Sequence, residues 1–401
     1  MFTAQLLSII GFAFVLPFIP FFVRELGVTD ERLVPVWAGN MAAASAFTMA
    51  VFSPLWGWLA DRYGRRIMVE RAMFGGAVIT FAMGFVGNVW QLLFLRILNG
   101  AMTGTVGAAT AMVSTAVPKE KLGFSLGLMQ VAVFLGMTLG PWIGGLLADA
   151  VGFRNTCMAG GIIILAGGLL VLFGTKERFV RPSDKTLREN GGFLSILSYA
   201  GIPAMLALFF VFQFTVQFVV PILPLFVESL YGTDRSNVAS TTGMLLALSG
   251  GTSALAAAVI GIYSDRIGHK RLLAIHMGLT ALCMFLHGMA QGIWQLAGLR
   301  ILYGVAVGGI LPVMNALVGS LIPSNRYGTA YGLTSSMASL GMACGPLCSG
   351  YMASWWGYRT PFLFIGSFIT LISVPLIGLG FRKKETTAPV HPEGPPSLPR
   401  S

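Results

Sequence analysis

Apolar stretches of about twenty residues recur along the whole chain, and this is the length that an α-helix needs to cross the hydrocarbon core of a bilayer. Of the 401 residues, 55% are hydrophobic and 10% are charged, whereas a soluble globular chain carries about 25% charged residues. So few charges cannot cover a water-facing surface, and a spanning backbone must satisfy its hydrogen bonds within a helix. The sequence therefore predicts an all-α polytopic membrane protein. We predict about twelve spans, at 3–23, 36–60, 67–87, 90–114, 123–149, 156–175, 198–227, 238–262, 271–290, 293–319, 328–353 and 359–380.

The distribution of Lys and Arg predicts the orientation of these spans, because cytoplasmic loops carry an excess of basic residues. If both termini are cytoplasmic, the cytoplasmic loops and tail hold 19 of the 26 basic residues and the outer loops hold 5. We therefore expect a multi-pass protein of the cell (plasma or inner) membrane with both termini in the cytoplasm. The same asymmetry explains the net charge of +11 without a nucleic-acid partner, and the lipid bilayer is the expected partner.

The second part of the chain repeats the first at a nearly constant distance. LPFIPFFVREL from Leu16 echoes VPILPLFVESL from Val220, and both stretches lie at an offset of 204. GMTLGPWIGG from Gly136 echoes GMACGPLCSG from Gly341 at an offset of 205, which indicates one inserted residue. The chain is therefore a tandem duplication of a six-span unit, and an even span count gives both copies the same orientation.

The duplication predicts the domain organisation. We expect an N-terminal six-helix bundle over 1–175, a cytoplasmic linker over 176–195, a C-terminal six-helix bundle over 196–381 and a disordered Pro-rich tail over 382–401. Two similar halves that meet at a pseudo-twofold axis form a central cavity. They can rock about a site near the bilayer midplane, which is the geometry of alternating access.

A short charged sequence follows the second span of each copy, GWLADRYGRR in the first and GIYSDRIGHKR in the second. Gly57 would let a helix approach closely, and Gly64 would permit a tight turn. Asp61 stands among arginines and near the positive end of a neighbouring helix, so it could act as a latch between the halves on the cytoplasmic face. The alternative is a positively charged loop with an incidental Asp, which two copies disfavour. The candidate gating residues are Gly57, Asp61, Arg62, Gly64, Arg65 and Arg66 in the first copy and Gly261, Asp265, Arg266 and Gly268 in the second.

The fifth span carries small residues at a helical spacing. Gly136, Gly140 and Gly144 lie four apart on one face, Gly145 follows, and Pro141 can bend the helix because it lacks a backbone donor. We expect this face to let a helix of the other half pack at backbone distance. Generic small-residue packing is the alternative interpretation.

Arg96 lies inside the fourth span, where a guanidinium without a partner is costly. None of the fifteen acidic residues lies near the middle of a span, and Glu25 ends the first span on the outer side. We therefore expect a partly buried pair between Glu25 and Arg96 that proton entry would open, with Asp61 or Glu70 as the next candidates for proton coupling. The alternatives are that Arg96 snorkels to the outer surface and that Glu25 is a solvated loop-edge residue.

Together these motifs resemble those of the major facilitator superfamily over nearly the whole chain. The charged sequence is similar to the family's loop 2–3 signature, from which the second copy departs at His269. The fifth-span motif resembles the family's antiporter motif. Arg96 with Gly100 and Gly104 resembles its fourth-span motif, although Asn99 replaces the usual Gln.

The first span resembles that of the twelve-helix drug:proton antiporter branch, with Pro17 and Pro20 after Gly11. The resemblance implies alternating access, a small-molecule substrate, a fifth-span face that seals the outer half of the cavity, and a role for Arg96 in proton coupling. Many drug antiporters carry an acid in the middle of this span, where the present chain has Phe12 and Phe14. A permanently charged cation would therefore lack its counter-ion, and neutral, zwitterionic or anionic amphiphiles fit better.

Few polar residues are expected to face the cavity. The candidates are Gln130 in the fifth span, Gln213 and Gln217 in the seventh, and Asn315 in the tenth. With 29 Phe and 20 Met in the chain, the cavity wall is expected to be apolar and adaptable.

These observations favour a secondary exporter of lipophilic small molecules that is driven by proton antiport and acts as a monomer. One alternative is a sugar, metabolite or lysolipid carrier of the same fold, and another is a membrane sensor or assembly protein without transport. The sequence shows no Walker loop, metal cluster or nucleophile constellation. We therefore expect no enzyme, no catalytic residue, no metal and no cofactor.

Overall fold

The computed structural model describes residues 1–175, 197–199, 201–232, 237–322 and 327–380, and the described residues contain helices and no β-strand. The expected linker at 176–195 and tail at 382–401 lie outside them. The helices of the first half are α1 (Phe2–Ala13), α2 (Ile19–Glu25), α3 (Leu33–Tyr63), α4 (Arg65–Ala82), α5 (Val89–Met102), α6 (Thr105–Ala116) and α7 (Lys119–Gly174). Those of the second half are α8 (Ile202–Phe218), α9 (Leu223–Tyr231), α10 (Val238–Ile267), α11 (His269–Met289), α12 (Ile293–Gly308), α13 (Ile310–Leu321), α14 (Tyr327–Trp356) and α15 (Thr360–Gly380).

Proline residues divide the first helical segment of each half at equivalent positions. Pro17 separates α1 from α2, and Pro221 separates α8 from α9. Pro20 and Pro224 each lie in the first turn of the helix that follows. Proline supplies no backbone N–H, so helical hydrogen bonding is interrupted at Pro17 and Pro221. Pro20 and Pro224 are tolerated, because the first turn of a helix needs no intrahelical donor.

Nine helical segments of the described residues are long and apolar enough to cross a membrane. One of them, Phe124–Gly174, has 51 residues and includes a sharp bend at Gly152, so it is long enough to cross twice. Gly152 and its counterpart Gly357 both have a φ of 82°, a conformation that favours glycine. The polytopic all-α class is confirmed, and the count of twelve crossings stays a prediction.

The structure reproduces the internal repeat at single side chains. Arg154 Nη1 donates to the carbonyl oxygen of Gly84 at 3.3 Å, and Arg359 Nη1 donates to that of Gly288 at 3.2 Å. Each residue of the second pair lies 204 or 205 positions after its partner in the first. The two copies therefore share not only a helix order but also the contacts that fix the helix ends.

The helices pack in the same pairs in both halves. In the first half α1 lies along α7, and in the second half α8 lies along α14. The two halves contact each other chiefly through α3 against α14 and α7 against α10. Four helices therefore carry the interface at which any movement between the halves must occur.

Candidate transport site and interface between the halves

Glycines allow α3 and α14 to touch at backbone distance. A Cβ atom at Gly39 would overlap the carbonyl oxygen of Pro346, and one at Gly350 would overlap the carbonyl oxygen of Pro35. Because the obstructing atoms are backbone atoms, a larger residue at either glycine would force the helices apart.

The contact between α7 and α10 is a copy of this one. A Cβ atom at Gly243 would overlap the carbonyl oxygen of Pro141, and one at Gly145 would overlap that of Ala239. Gly243 lies 204 positions after Gly39, and the residues in contact are likewise 204 or 205 positions apart between the two copies. The duplication therefore supplies two equivalent helix contacts between the halves. Both lie toward the end of the bundle that carries loop 26–32.

A carboxylate of the first half caps a helix of the second at this same end. Asp149 Oδ2 accepts a hydrogen bond from the backbone N of Ser240 at 2.7 Å. Ser240 lies in the first turn of α10, where free N–H groups carry the positive end of the helix dipole. Asp149 therefore stabilises the closed arrangement of the two halves through charge and hydrogen bonding.

An ion pair joins the halves beside this contact. Arg24 Nη1 donates to Glu228 Oε2 at 2.6 Å, and the same guanidinium pairs with Glu31. We call Arg24, Glu31 and Glu228 the ion-pair cluster. Burial raises the pKa of Tyr358, which lies beside these three charges. Within the cluster, the Arg24 and Glu228 side chains are 19% and 11% exposed, so this pair lies in a partly dehydrated environment, in which charge-assisted hydrogen bonds are stronger than at an open surface.

The pair between Arg24 and Glu228 joins equivalent positions of the two repeats, since the residues lie 204 positions apart. Residues at equivalent positions meet when they lie next to the pseudo-twofold axis. The pair was not predicted from the sequence, although the sequence carries a signal for it: opposite charges at matching ends of the first span of each copy.

The other end of the bundle, which carries the two charged sequences, is open. Among the described residues no atom from another helix lies within 4 Å of a Cβ built at Gly57, Gly64, Gly261 or Gly268. The close helix approach expected at Gly57 is therefore wrong for this conformation, because the halves diverge here. Gly64 and Gly268 have φ values of 104° and 93°, which favour glycine at both turns.

The basic residues of the charged sequence make local contacts. Arg66 Nε donates to Glu70 Oε1 at 2.7 Å, one turn along α4, and Arg62 lies over the ring of Trp58 at 5.4 Å. Arg65 begins α4, and Arg266 lies in the last turn of α10. Asp61 and Asp265 lie in α3 and α10, and their side chains fall outside the described part of the structure.

The glycine face of the fifth span has a different partner from the expected one. A Cβ atom at Gly136 would meet Ile9, one at Gly140 would meet Ala13, and one at Gly144 would overlap the backbone of Phe14. These contacts lie on the α1 side, within the first half, so the prediction that this face packs against the other half is wrong. The neighbouring positions 141 and 145 point across the interface instead, because they lie on the adjacent side of the helix.

The expected pair between Glu25 and Arg96 is not formed in this structure. Glu25 Oε1 accepts a hydrogen bond from Arg154 Nε at 2.8 Å, and Arg154 lies where α7 bends, at the closed end of the bundle. Arg96 is 5% exposed and lies inside the first half, and its Nε has no hydrogen-bond partner among the described residues. The interpretation that paired the two residues is therefore corrected, since Glu25 has a nearer cation at its own depth.

The residues around Arg96 position the fourth span against the second. The carbonyl oxygen of Arg96 accepts from Ser45 Oγ at 2.8 Å, and Gly100 allows the backbone of Ser45 to approach. In the second half Gly304 meets Ser249 in the same way. Gly104 has a φ of 122° and separates α5 from α6.

The predicted cavity residues occupy mixed environments. Gln130 is exposed, and Asn315 is half-buried. Gln213 and Gln217 are also half-buried, but they lie against the glycines of α14. Ile9 and Ala13 hold the equivalent positions in the first half, where they lie against the glycines of α7. The structure therefore places the Cβ atom of Gln213 and the backbone of Gln217 at a helix contact within the second half.

The fold and the interface define the class of protein. Two similar helical halves that touch at one end and separate at the other have the architecture of a multi-pass membrane transporter and not of an enzyme. The family model of the Major Facilitator Superfamily matches residues 1–241 and 237–400, and the chain belongs to this family.

Curated relatives cover most of the chain. The chain is 33% identical over 381 residues to the multidrug resistance protein MdtG of Citrobacter koseri. The matched region covers 94% of this chain and 93% of the relative. It is also 33% identical over 355 residues to the multidrug resistance protein MdtG of Salmonella typhimurium, which spans 88% and 87%.

Solved structures share the fold at low sequence identity. A bacterial homologue of the human lysosomal transporter Spinster, in an inward-facing and occupied conformation, has a TM-score of 0.78 and 13% identity over 94% of this chain and 95% of that one. The nucleoside transporter NupG has a TM-score of 0.73 and 15% identity over 95% and 99%.

Proposed function

We propose that the protein exports lipophilic and amphiphilic small molecules by alternating access of two bundles, 1–175 and 196–381, joined by the linker 176–195. The relatives named for multidrug resistance support export of such compounds. Both bundles come from one chain, so a monomer is sufficient as the transport unit.

One observation carries this proposal: the helix contacts between the halves lie at one end of the bundle, and the glycines at the other end have open space. With both termini cytoplasmic, as the basic residues predict, the closed end faces outward. The structure then corresponds to an inward-open state that can receive substrate from the cytoplasm. The outer-open state requires the glycine crossings and the ion pair between Arg24 and Glu228 to separate.

Protons are the proposed coupling ion, and the acids to test first are Asp61 and Glu70 on the cytoplasmic side. Glu25 is a further candidate, and like Glu70 with Arg66 it is paired with a cation of its own half, Arg154. The absence of acids from the middle of the predicted spans supports neutral, zwitterionic or anionic amphiphiles as substrates.

The test is a drug-susceptibility panel in a host that lacks its own pumps, with and without an uncoupler. Parent protein should raise tolerance to a set of lipophilic compounds, and the uncoupler should abolish the effect. A Gly39→Leu and Gly243→Leu double variant, expressed at the parent level, is the control. Equal tolerance in cells with and without the parent protein would overturn the proposed function.

A further inference from the structure

One arginine inside the predicted third span has no acidic partner. Arg71 lies in α4, six residues after the helix begins at Arg65, which is roughly 9 Å along the helix axis. Nε and Nη1 of its guanidinium are buried without a hydrogen-bond partner among the described residues. The neighbouring acid, Glu70, points to another side of the helix and pairs with Arg66. Within the described ranges, no carboxylate therefore balances the charge of Arg71.

An aromatic ring holds this guanidinium in place. Cζ of Arg71 lies 3.5 Å from the ring centroid of Trp56 in α3, which is the geometry of a cation–π contact. The indole is fixed in turn, because its Nε1 donates to the carbonyl oxygen of Ala101 at 2.6 Å. Ala101 lies in the last turn of α5. Three helices therefore position one positive charge, and a guanidinium that stacks on a ring keeps its edge for hydrogen bonds.

The side chain starts from a face of α4 that is exposed and apolar. Ile67 lies four residues before Arg71 and Val78 lies seven after it, so the three share one face. Ile67 and Val78 are 53% and 67% exposed. Arg71 itself is half-buried, and Nη2 is not among its buried atoms. Because α4 packs against helices of its own half, outside the four helices that join the halves, this face is a lipid-facing surface.

The second copy shows that packing does not require an arginine at this position. The counterparts of Arg71 and Trp56, 204 positions later, are Ile275 and Ile260. Ile275 is 52% exposed on α11, so the equivalent position presents an apolar side chain to lipid. The first copy has both members of the cation–π pair and the second copy has neither. The pair therefore needs a reason other than helix packing.

The depth of Arg71 matches the headgroup region of a bilayer. α4 begins at the end of the bundle that carries the charged sequences, which the basic residues predict to face the cytoplasm. The predicted span 67–87 places Arg71 in its first two turns. A long basic side chain so close to a helix end extends toward the interface, where phospholipid phosphates lie. The anion within reach of this guanidinium is therefore a lipid headgroup.

We propose that Arg71, held by Trp56, binds the phosphate group of an anionic phospholipid of the cytoplasmic leaflet. The guanidinium supplies charge-assisted hydrogen bonds to the phosphate oxygens, and the acyl chains lie along the apolar face of Ile67 and Val78. A headgroup that carries an ammonium would bring a second cation close to Arg71, so a headgroup of net negative charge binds more tightly. A free phosphate ion lacks the chains that the apolar face accommodates.

The experiment measures lipid binding to the purified, delipidated full-length protein in detergent by native mass spectrometry. The titrants are dioleoylphosphatidylglycerol, dioleoylphosphatidylethanolamine and inorganic phosphate. The variants are Arg71→Ile, which follows the second copy, and Arg71→Lys, which keeps the charge without the planar fork. The control is Arg62→Gln, since Arg62 is an exposed arginine at the same end of the bundle and also lies over a ring, that of Trp58 at 5.4 Å.

We expect the parent protein to bind phosphatidylglycerol more tightly than phosphatidylethanolamine. Arg71→Ile should weaken the affinity for the first phosphatidylglycerol about tenfold, by loss of the charge-assisted hydrogen bonds, and Arg71→Lys should weaken it less. Arg62→Gln should leave this affinity within about twofold of the parent, because an exposed charge adds little. The Tm of Arg71→Ile without lipid should equal or exceed that of the parent, since the variant removes unsatisfied buried groups.

Equal phosphatidylglycerol affinity in the parent and Arg71→Ile would overturn the site. Equal weakening by Arg71→Ile and Arg62→Gln would overturn it too, because general attraction between charges would then explain the binding. A parent that binds both lipids equally would overturn the anionic class, and displacement of phosphatidylglycerol by inorganic phosphate would overturn the lipid as the occupant. These results are separate from the proposed function, because lipid binding is measured without transport.

Discussion

At the scale of single residues, the closed end depends on a few charges that the duplication has made different in the two copies. Arg24 and Glu228 hold equivalent positions, and they pair across the interface at 2.6 Å. Glu25 and Ser229 are also equivalent, yet Glu25 pairs with Arg154 inside its own half. Sequence spacing predicted that Glu25 and Arg96 lie near the outer side, but it could not predict which cation lies nearest to the carboxylate. That choice depends on the bend of α7, which brings Arg154 to Glu25.

Glu228→Gln should loosen the outer end. Loss of one charge-assisted hydrogen bond should lower the ratio of outer-closed to outer-open protein about tenfold, which corresponds to about 1.4 kcal/mol. The reporter is Ala148→Cys in a background without the four native cysteines, because Ala148 is 5% exposed and packs with Phe18 and Ala239. Labelling by an impermeant maleimide should accelerate in the variant.

Glu31→Gln is the matched control for that measurement. It removes a carboxylate from the same guanidinium, but Glu31 belongs to the first half and its side chain is 58% exposed. Labelling of Ala148→Cys should therefore stay near the parent rate. Equal acceleration by both variants would show that the ion pair does not hold the halves together.

Asp61→Asn should abolish export at unchanged expression, since an amide lacks the charge that would meet a helix end and arginines when the cytoplasmic side closes. Asp265→Asn should reduce export less, because its copy of the motif carries His269 where the first carries Arg65. The measurement is tolerance to exported compounds, normalised to protein in the membrane. Near-parent tolerance with both variants would contradict a latch in these loops.

At the scale of helices, the positions of breaks and turns were predictable and the partners of helix faces were not. Proline at 17 and 221 and glycine at 64 and 268 act on their own backbone, so local sequence is enough to place them. The glycines at 136, 140 and 144 define a face from their spacing alone, but two helices can use such a face. In the structure this face packs on the α1 side, whereas Pro141 and Gly145 contact α10.

Two glycine variants separate these roles. Gly140→Leu should lower the Tm by several degrees, because the side chain would enter the contact between α7 and α1 inside one bundle. Gly243→Leu should leave the Tm closer to the parent value and expose the outer end, since the bundles can move apart as units. Maleimide labelling of Ala148→Cys distinguishes them: a fast rate is expected for Gly243→Leu and a parent-like rate for Gly140→Leu. The reverse order would contradict the assignment of the two faces.

At the scale of the whole molecule, the internal repeat was visible in the sequence and accounts for most of the architecture. Equivalent residues make equivalent contacts in both copies, as Arg154 with Gly84 and Arg359 with Gly288 show. The conformational state was not predictable, because one sequence supports both states of a transporter and their difference lies in contacts between distant segments.

The two ends of the molecule are expected to open alternately, and distances measured at both ends of the same protein would show this. Spin labels at Thr29 and Ser229 would report the closed end, and labels at Tyr63 and Ile267 would report the other end, where the native residues are 54% and 49% exposed. We expect a short distance for the first pair and a long distance for the second in the parent protein. Glu228→Gln should lengthen the first distance and shorten the second in the same fraction of molecules. Distances that change in the same direction at both ends would contradict alternate opening. A long first distance together with a short second one in the parent would contradict the conformation described here.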